Sequence, residues 1–299
     1  TVQNTSATSS EGRLLMTGLQ FSADGMQLAV TVQTPQTVAD VHVLTTRVDV
    51  HKVRSRVWSR WTSSELGGLS EAQVVAARRA SYPSEDPWTT NEDGSRPLRI
   101  PMLVYEPQSP APEKGWPVVV WLPDDPLTSR GPETSTSLSV TSPVSSTQGC
   151  VLDAGIQMLV RDVGVAVMVP HVRGSTGYGP RYAALAKQHR REAAVKDVRS
   201  LLSWLAAGHP PAPPMGSEQP AGTEETPKYD LGRIAMYGVG QGGFLAASAS
   251  AMLCAPQPDS TTLHIRPRCV ALERPVTNLV TFLAETAPYL QEVLRDEFG

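Results

Sequence analysis

The stretch YGVGQGGF, residues 237–244, has the spacing of a catalytic turn without its reactive group. In the pattern G-x-S-x-G, a serine sits at the apex of a strained strand-to-helix elbow and its hydroxyl attacks a carbonyl carbon. Gly238 and Gly242 occupy the flanking positions, and Gly240 stands where the hydroxyl belongs, followed by Gln241 and Gly243. Glycine has nothing to acylate, so the turn alone offers no covalent chemistry. A dinucleotide phosphate loop is the other reading, because G-V-G-Q-G-G partly mimics G-x-G-x-x-G. Its spacing departs by one, and it falls late in the chain rather than after a first strand.

Other groups with chemical potential are scattered. Pro123-Asp124-Asp125-Pro126 places two carboxylates side by side, which suits either positioning of a water or metal or simple solvation. Ser175, Ser248 and Ser250 are hydroxyls without an obvious base, and the last two fall within a small-residue segment that suits close helix packing. His42, His51, His171, His189 and His209 precede the glycine turn, and only Asp259 and His264 follow it in the order acid, then base. Cys150, Cys254 and Cys269 are odd in number and lack C-x-x-C spacing, which argues against a disulfide framework or a zinc site and favours a reducing compartment. No cofactor or metal is expected.

The elements that must position these groups are legible from periodicity. Residues 1–12 are polar and Ser/Thr-rich, an expected disordered lead-in. Two apolar runs, Leu14–Phe21 and Met26–Val32, flank Asp24-Gly25 as a hairpin does, and DVHVLTT alternates like a third strand. Residues 55–97 read as mixed and loop-like. LRIPMLVYEP, WPVVVWLP, VGVAVMVP and GRIAMYG are near-continuous apolar runs, as in strands covered on both faces. In REAAVKDVRSLLSWLAAGHP, Val195, Val198, Leu201, Leu202 and Leu205 mark one helical face, with Gly208 and Pro210 as a stop. Strand, helix, strand, turn and helix describe a parallel α/β sheet. Segments 127–149 and 209–229 lack periodicity and read as surface insertions.

A longer signature carries a resemblance. Arg173-Gly174-Ser175-Thr176-Gly177-Tyr178-Gly179 follows an apolar strand, and Asp197-Val198 with Trp204-Leu205 precedes the turn strand. This order resembles the prolyl oligopeptidase family of serine peptidases. RCVALERPVTNLVTFL (268–283) and DEFG (296–299) look most like acylaminoacyl-peptidases, although Glu273-Arg274-Pro275-Val276 departs from their N-P-V ending. The resemblance implies an α/β-hydrolase-like domain over 98–299, its mostly parallel sheet flanked by helices and truncated at the C-terminus. It also implies that residues 13–97 are a small antiparallel propeller remnant with a linker.

The same resemblance implies inactivity. The family's first strand runs into H-G-G-P beside the oxyanion site, where this chain has Pro123-Asp124-Asp125-Pro126. Carboxylates there oppose the field an oxyanion needs. Asp259 and His264 come too early to be the family's acid and base, which it supplies beyond the equivalent of Gly299. Loss of a triad serine alone costs about 2 × 10⁶ in kcat, so residual catalysis is expected to be negligible. The reading is a scaffold or interaction subunit; the alternative is a hydrolase of non-standard chemistry.

Composition bounds the partners. The chain has 299 residues, 40% hydrophobic and 18% charged, with net charge -3, which gives no reason to expect nucleic acid. No apolar run reaches the roughly 20 residues that span a bilayer. The sequence opens at Thr1 without a methionine, as in a processed or trimmed product. Ending at Gly299 is expected to leave a sheet edge for another chain or a second copy, and peptides are possible ligands of an old substrate cleft.

Overall fold

Alternating apolar residues and an Asp-Gly turn build the first sheet. The computed structural model describes residues 15–34, 36–48, 54–86, 89, 94, 97–124, 152–175, 178–207, 229–254 and 265–298. The lead-in at 1–12, the insertion at 127–149 and all but Tyr229 of 209–229 lie outside them, as do His51, His209, Asp259, His264 and Cys150. By contact density the chain forms two compact units, 1–76 with 147–157, and 77–146 with 158–299.

In the first unit, β1 (Leu15–Phe21), β2 (Gln27–Thr34), β3 (Thr37–Val48) and β4 (Arg54–Arg60) form an antiparallel sheet in sequential order. The hairpin between β1 and β2 turns at Asp24-Gly25. Gly25 adopts φ +67, and the Asp24 carboxylate accepts from the Ser22 hydroxyl at 2.6 Å and the Met26 N–H at 3.0 Å. Val30, Val32 and Val43 point to the buried side, each 7% exposed or less. Asp40 is buried with them and accepts from Arg60, Thr62 and Ser64. Burial pushes its carboxyl up, but those hydrogen bonds outweigh burial and bring it down to about 2. Helix α1 (Ala154–Met158) starts on Asp153, whose carboxylate accepts from the Gly155 and Ile156 N–H groups. Gln157 clamps Val75 through both its N–H and C=O, at 2.8 and 2.9 Å.

The second unit contains β5 (Arg78–Pro83), β6 (Arg99–Tyr105), β7 (Trp116–Leu122), β8 (Ala166–Pro170), β9 (Tyr229–Val239) and β10 (Cys269–Glu273). They form one sheet in the order β10-β9-β7-β8-β6-β5. β7 runs parallel to β8 and β9, and β9 parallel to β10, whereas β6 is antiparallel to both β8 and β5. Helices α2 (Gly179–Ala184), α3 (Arg191–Ala206), α4 (Gln241–Cys254), α5 (Leu279–Glu285) and α6 (Pro288–Phe298) complete it. All five residues of β8 are buried, as the unbroken apolar run requires of a strand packed on both faces. α3 buries Val195, Val198, Leu201, Leu202 and Leu205.

Two strands lie where the sequence reads as loop. β5 and all of β4 but Arg54 fall within 55–97: β4 exposes Val57 and Trp58, and β5 buries Ala80, Ser81 and Tyr82 in a row between arginines and a proline, so neither shows apolar alternation. β5 joins the second sheet through β6, so the units divide at 76/77 rather than at 97. The antiparallel β6 also makes the sheet mixed, with the parallel strands grouped around β7 and β9.

Candidate functional site

The chain leaves β7 toward β8 on one side, while β9 leads to β10 on the other. The C-terminal ends of β7 and β9 therefore border a topological switch point, where open α/β sheets place ligands. The glycine turn lies at this point. Gly240 adopts φ +53 between β9 and α4, so the elbow geometry expected from its flanking glycines is present. The close approach is severe. A Cβ on Gly238 would lie 2.3 Å from the Gly242 oxygen, and one on Gly242 would lie 2.1 Å from the Leu122 oxygen. Gly243 faces Pro275 of the loop after β10. The end of β10 and that loop hold Gly240 on both sides: the Gly240 N–H donates to the Glu273 carbonyl at 2.8 Å, and the Val276 N–H donates to the Gly240 carbonyl at 3.3 Å.

The decisive contact comes from the end of β7. Asp124 turns its carboxylate over Gly240, where a Cβ would lie 2.1 Å from Oδ1, 2.3 Å from Cγ and 2.5 Å from Oδ2. Asp124 Oδ1 also accepts the Gln241 N–H at 2.9 Å. The N–H following the elbow apex is the donor that stabilises an oxyanion in hydrolases of this turn type. Here a built-in carboxylate engages that donor and fills the volume a nucleophile would need. Sequence reasoning set Asp124 beside an oxyanion site; the structure adds that it seats directly on the turn. Asp125 and Pro126 lie outside the described residues, while Pro123 lines the same recess.

A cavity of about 50 Å³, room for a few water molecules, opens beside Asp124. Leu122, Pro123, Val172, Ser175, Arg173, Arg191 and Gln241 contribute to its wall. Gln241 is only 6% exposed, and its side-chain Oε1 has no hydrogen-bond partner. Arg191 is buried with its guanidinium 4.4 Å from the centre of the Phe298 ring.

The loop after β8 is organised by an ion pair that spacing alone does not reveal. Arg173 is 2% exposed and Asp197 of α3 fully buried, with NH2 to Oδ1 at 2.7 Å and Nε to Oδ2 at 2.9 Å. The Arg173 backbone N–H reaches Asp197 as well, at 3.0 Å, and its NH1 binds Asp86 at 2.6 Å. Burial raises the Asp197 carboxyl above its ordinary range against the pull of Arg173. Two segments quoted above as separate motifs, R-G-S-T-G and D-V, are thus one network. The burial of Arg173 is what requires carboxylate partners, and burial is a tertiary fact.

The other candidates disperse. His171 packs beside this loop, with Nδ1 2.5 Å from the Tyr178 hydroxyl and its carbonyl accepting from Tyr182 at 2.7 Å. Gly174 turns the loop against Ala186, and Gly179 starts α2; Thr176 and Gly177 lie outside the described residues. His42 stacks on Trp58 in the first unit. Ser250 donates to the Ala246 carbonyl within α4, and Cys254 and Cys269 are exposed free thiols.

No family model matches the sequence, and no curated protein matches it significantly. Solved structures match in fold. A puromycin hydrolase aligns with 95% of this chain at TM-score 0.59 and 20% identity. Prolyl oligopeptidase B from Galerina marginata, bound to a macrocyclization substrate, aligns with 96% at TM-score 0.61 and 14% identity. The chain spans about a third of the length of either, 34% and 31%. Its fold is that of the prolyl oligopeptidase-like α/β-hydrolases.

Proposed function

We propose that this chain is a catalytically silent member of the prolyl oligopeptidase family, of the acylaminoacyl-peptidase kind, that works as a scaffold or interaction subunit. One observation carries the reading: the Asp124 carboxylate overlies Gly240 and takes the Gln241 N–H at 2.9 Å. Acyl transfer needs a nucleophile at that apex and donors aimed at the developing oxyanion. A glycine and an acceptor stand in those places. The four-stranded first sheet fits a remnant propeller blade, consistent with neighbours about three times longer than this chain.

Surface features support the interaction role. Leu19, Phe21 and Trp61 of the first unit are each more than 60% exposed, and exposed apolar side chains of this size suit a partner. β10 is one of the two edges of the second sheet among the described strands, and all five of its residues are exposed. Its unpaired backbone groups suit strand pairing with another protein or a second copy.

Incubation with a fluorophosphonate probe and acetylated peptide substrates tests the silence. No specific label and no saturable turnover is the expected result; labelling that maps to the 238–243 turn overturns the reading. The alternative, a hydrolase that activates water through Asp124, draws on the carboxylate at the cavity wall. Turnover that disappears in Asp124→Asn would favour it.

A further inference from the structure

We propose that the free edge of β4 docks an extended acidic segment of another protein, which joins the first sheet as a further strand. A carboxylate of that segment sits opposite Arg56 and an apolar side chain opposite Trp58. The inference rests on the interaction role proposed above and needs nothing of the turn at Gly240.

The backbone register comes first. β4 is an edge of the first sheet and pairs with β3. The Trp61 N–H donates to the Val41 carbonyl, and on the other side of β3 the Thr46 N–H donates to the Met26 carbonyl, each at 2.8 Å. Along an antiparallel strand, residues alternate between bonding one neighbour and facing away from it. Val57, Ser59 and Trp61 therefore face β3, while Arg56, Trp58 and Arg60 turn their N–H and C=O groups outward. Those outward backbone groups have no hydrogen bond among the described residues. They are the groups a further strand engages when a peptide adds to a sheet edge.

The side chains of the same three residues define the partner. They share one face of the strand, because side chains alternate with a period of two. Trp58 is 44% exposed, and its ring stacks on His42 with centroids 5.4 Å apart and planes 26° off parallel. Arg60 is matched by the buried Asp40, and its Nε donates to the Thr62 carbonyl at 3.0 Å. Arg56 is exposed and has no carboxylate partner among the described residues. The edge thus offers one uncompensated cation beside one braced aromatic ring.

Cross-strand neighbours on one face interact directly. An antiparallel partner, read from its N-terminus, meets Arg60, then Trp58, then Arg56. Its sequence is therefore an apolar or aromatic residue, one spacer, and an aspartate or glutamate. The spacer lies on the other face against the exposed Val57, which suits a β-branched side chain. β4 itself contains no acidic residue, so a second copy of the same strand lacks the charge that answers Arg56.

The test is fluorescence anisotropy of an end-blocked, dye-labelled peptide with the core Thr-Val-Tyr-Val-Glu, titrated with the full chain. Saturable binding is expected, weakened about fivefold or more in Arg56→Glu and recovered when that variant meets the peptide whose core ends in lysine. N-methylation of the tyrosine, whose amide faces β4, should abolish binding; N-methylation of the valine before it, whose amide faces away, should not. No saturation below about 100 μM, equal affinity of wild type and Arg56→Glu, or equal effects of the two N-methyl groups overturns the proposal. A dimer of the chain that the peptide dissociates in sedimentation also overturns it, by assigning the edge to a second copy. If Arg56→Glu does not fold, the two N-methylated peptides decide the matter on wild type. A negative result strikes the β4 edge and leaves the catalytic silence standing, whereas fluorophosphonate labelling does the reverse.

Discussion

Asp197 and Asp124 both answer positive charge inside the second unit, but they do so under different constraints. Asp197 is fully buried and takes three donor groups of Arg173, with Ser84 adding a fourth contact at 3.2 Å. Asp124 is half-buried at a cavity wall and accepts the first N–H of α4. The first carboxylate cannot leave without stranding a buried guanidinium. The second lies at a cavity wall, where water can take its place. One carboxylate balances a buried guanidinium, and the other sits on the turn between β9 and α4.

Breaking the first pair gives the largest expected effect. Asp197→Ala should cost about 3–5 kcal/mol in denaturant unfolding, because Arg173 remains at 2% exposure without its main partner. A loss below about 1 kcal/mol would mean that Asp86 alone suffices and would erase the contrast. Gly240→Ser comes next, at about 1–3 kcal/mol, from the positive φ and the displaced Asp124. The same change in an Asp124→Gly background should cost less, and a double-mutant cycle reads the difference. Additive costs would sever the proposed link between the two positions. Neither serine variant should hydrolyse acetylated peptides.

Asp124→Ala is expected to cost only about 1 kcal/mol, the scale of a lost helix cap. A loss as large as that at Asp197 would make Asp124 a fold element rather than an occupant. The smallest effect at neutral pH concerns the first unit. The Asp40 carboxyl is held down at about 2, below its ordinary value of 3.8. Its stabilising contribution is therefore complete above the ordinary value and is lost as pH falls from about 4 toward 2. Circular dichroism of wild type against Asp40→Asn should show this acid-sensitive step in wild type alone. A step of equal size in both would assign it to another carboxylate.

Much of the frame was readable before any coordinate. Asp24-Gly25 marked its hairpin, the apolar runs marked β6 to β9, and the spacing from Val195 to Leu205 marked α3. β4 and β5 escaped because their strand character comes from pairing with β3 and β6 rather than from apolar alternation. In the site, the absence of a nucleophile at Gly240 was plain from one letter. The contact of Asp124 with that turn was not, since a Pro-Asp-Asp-Pro loop reads equally well as solvated charge. Likewise, Arg173 and Asp197 stood in two motifs whose connection no spacing announced.

Sequence alone determined what local forces decide: which segments alternate, which are helical, where glycine permits a left-handed turn, and that residue 240 cannot attack. These depend on neighbours within a few positions, through backbone sterics and the periods of strand and helix. Tertiary structure decided what sits on that turn. The partners are 117 residues apart in one case and 24 in the other, and only the packing of β7 beside β9 and of α3 against the β8 loop brings them within hydrogen-bond reach.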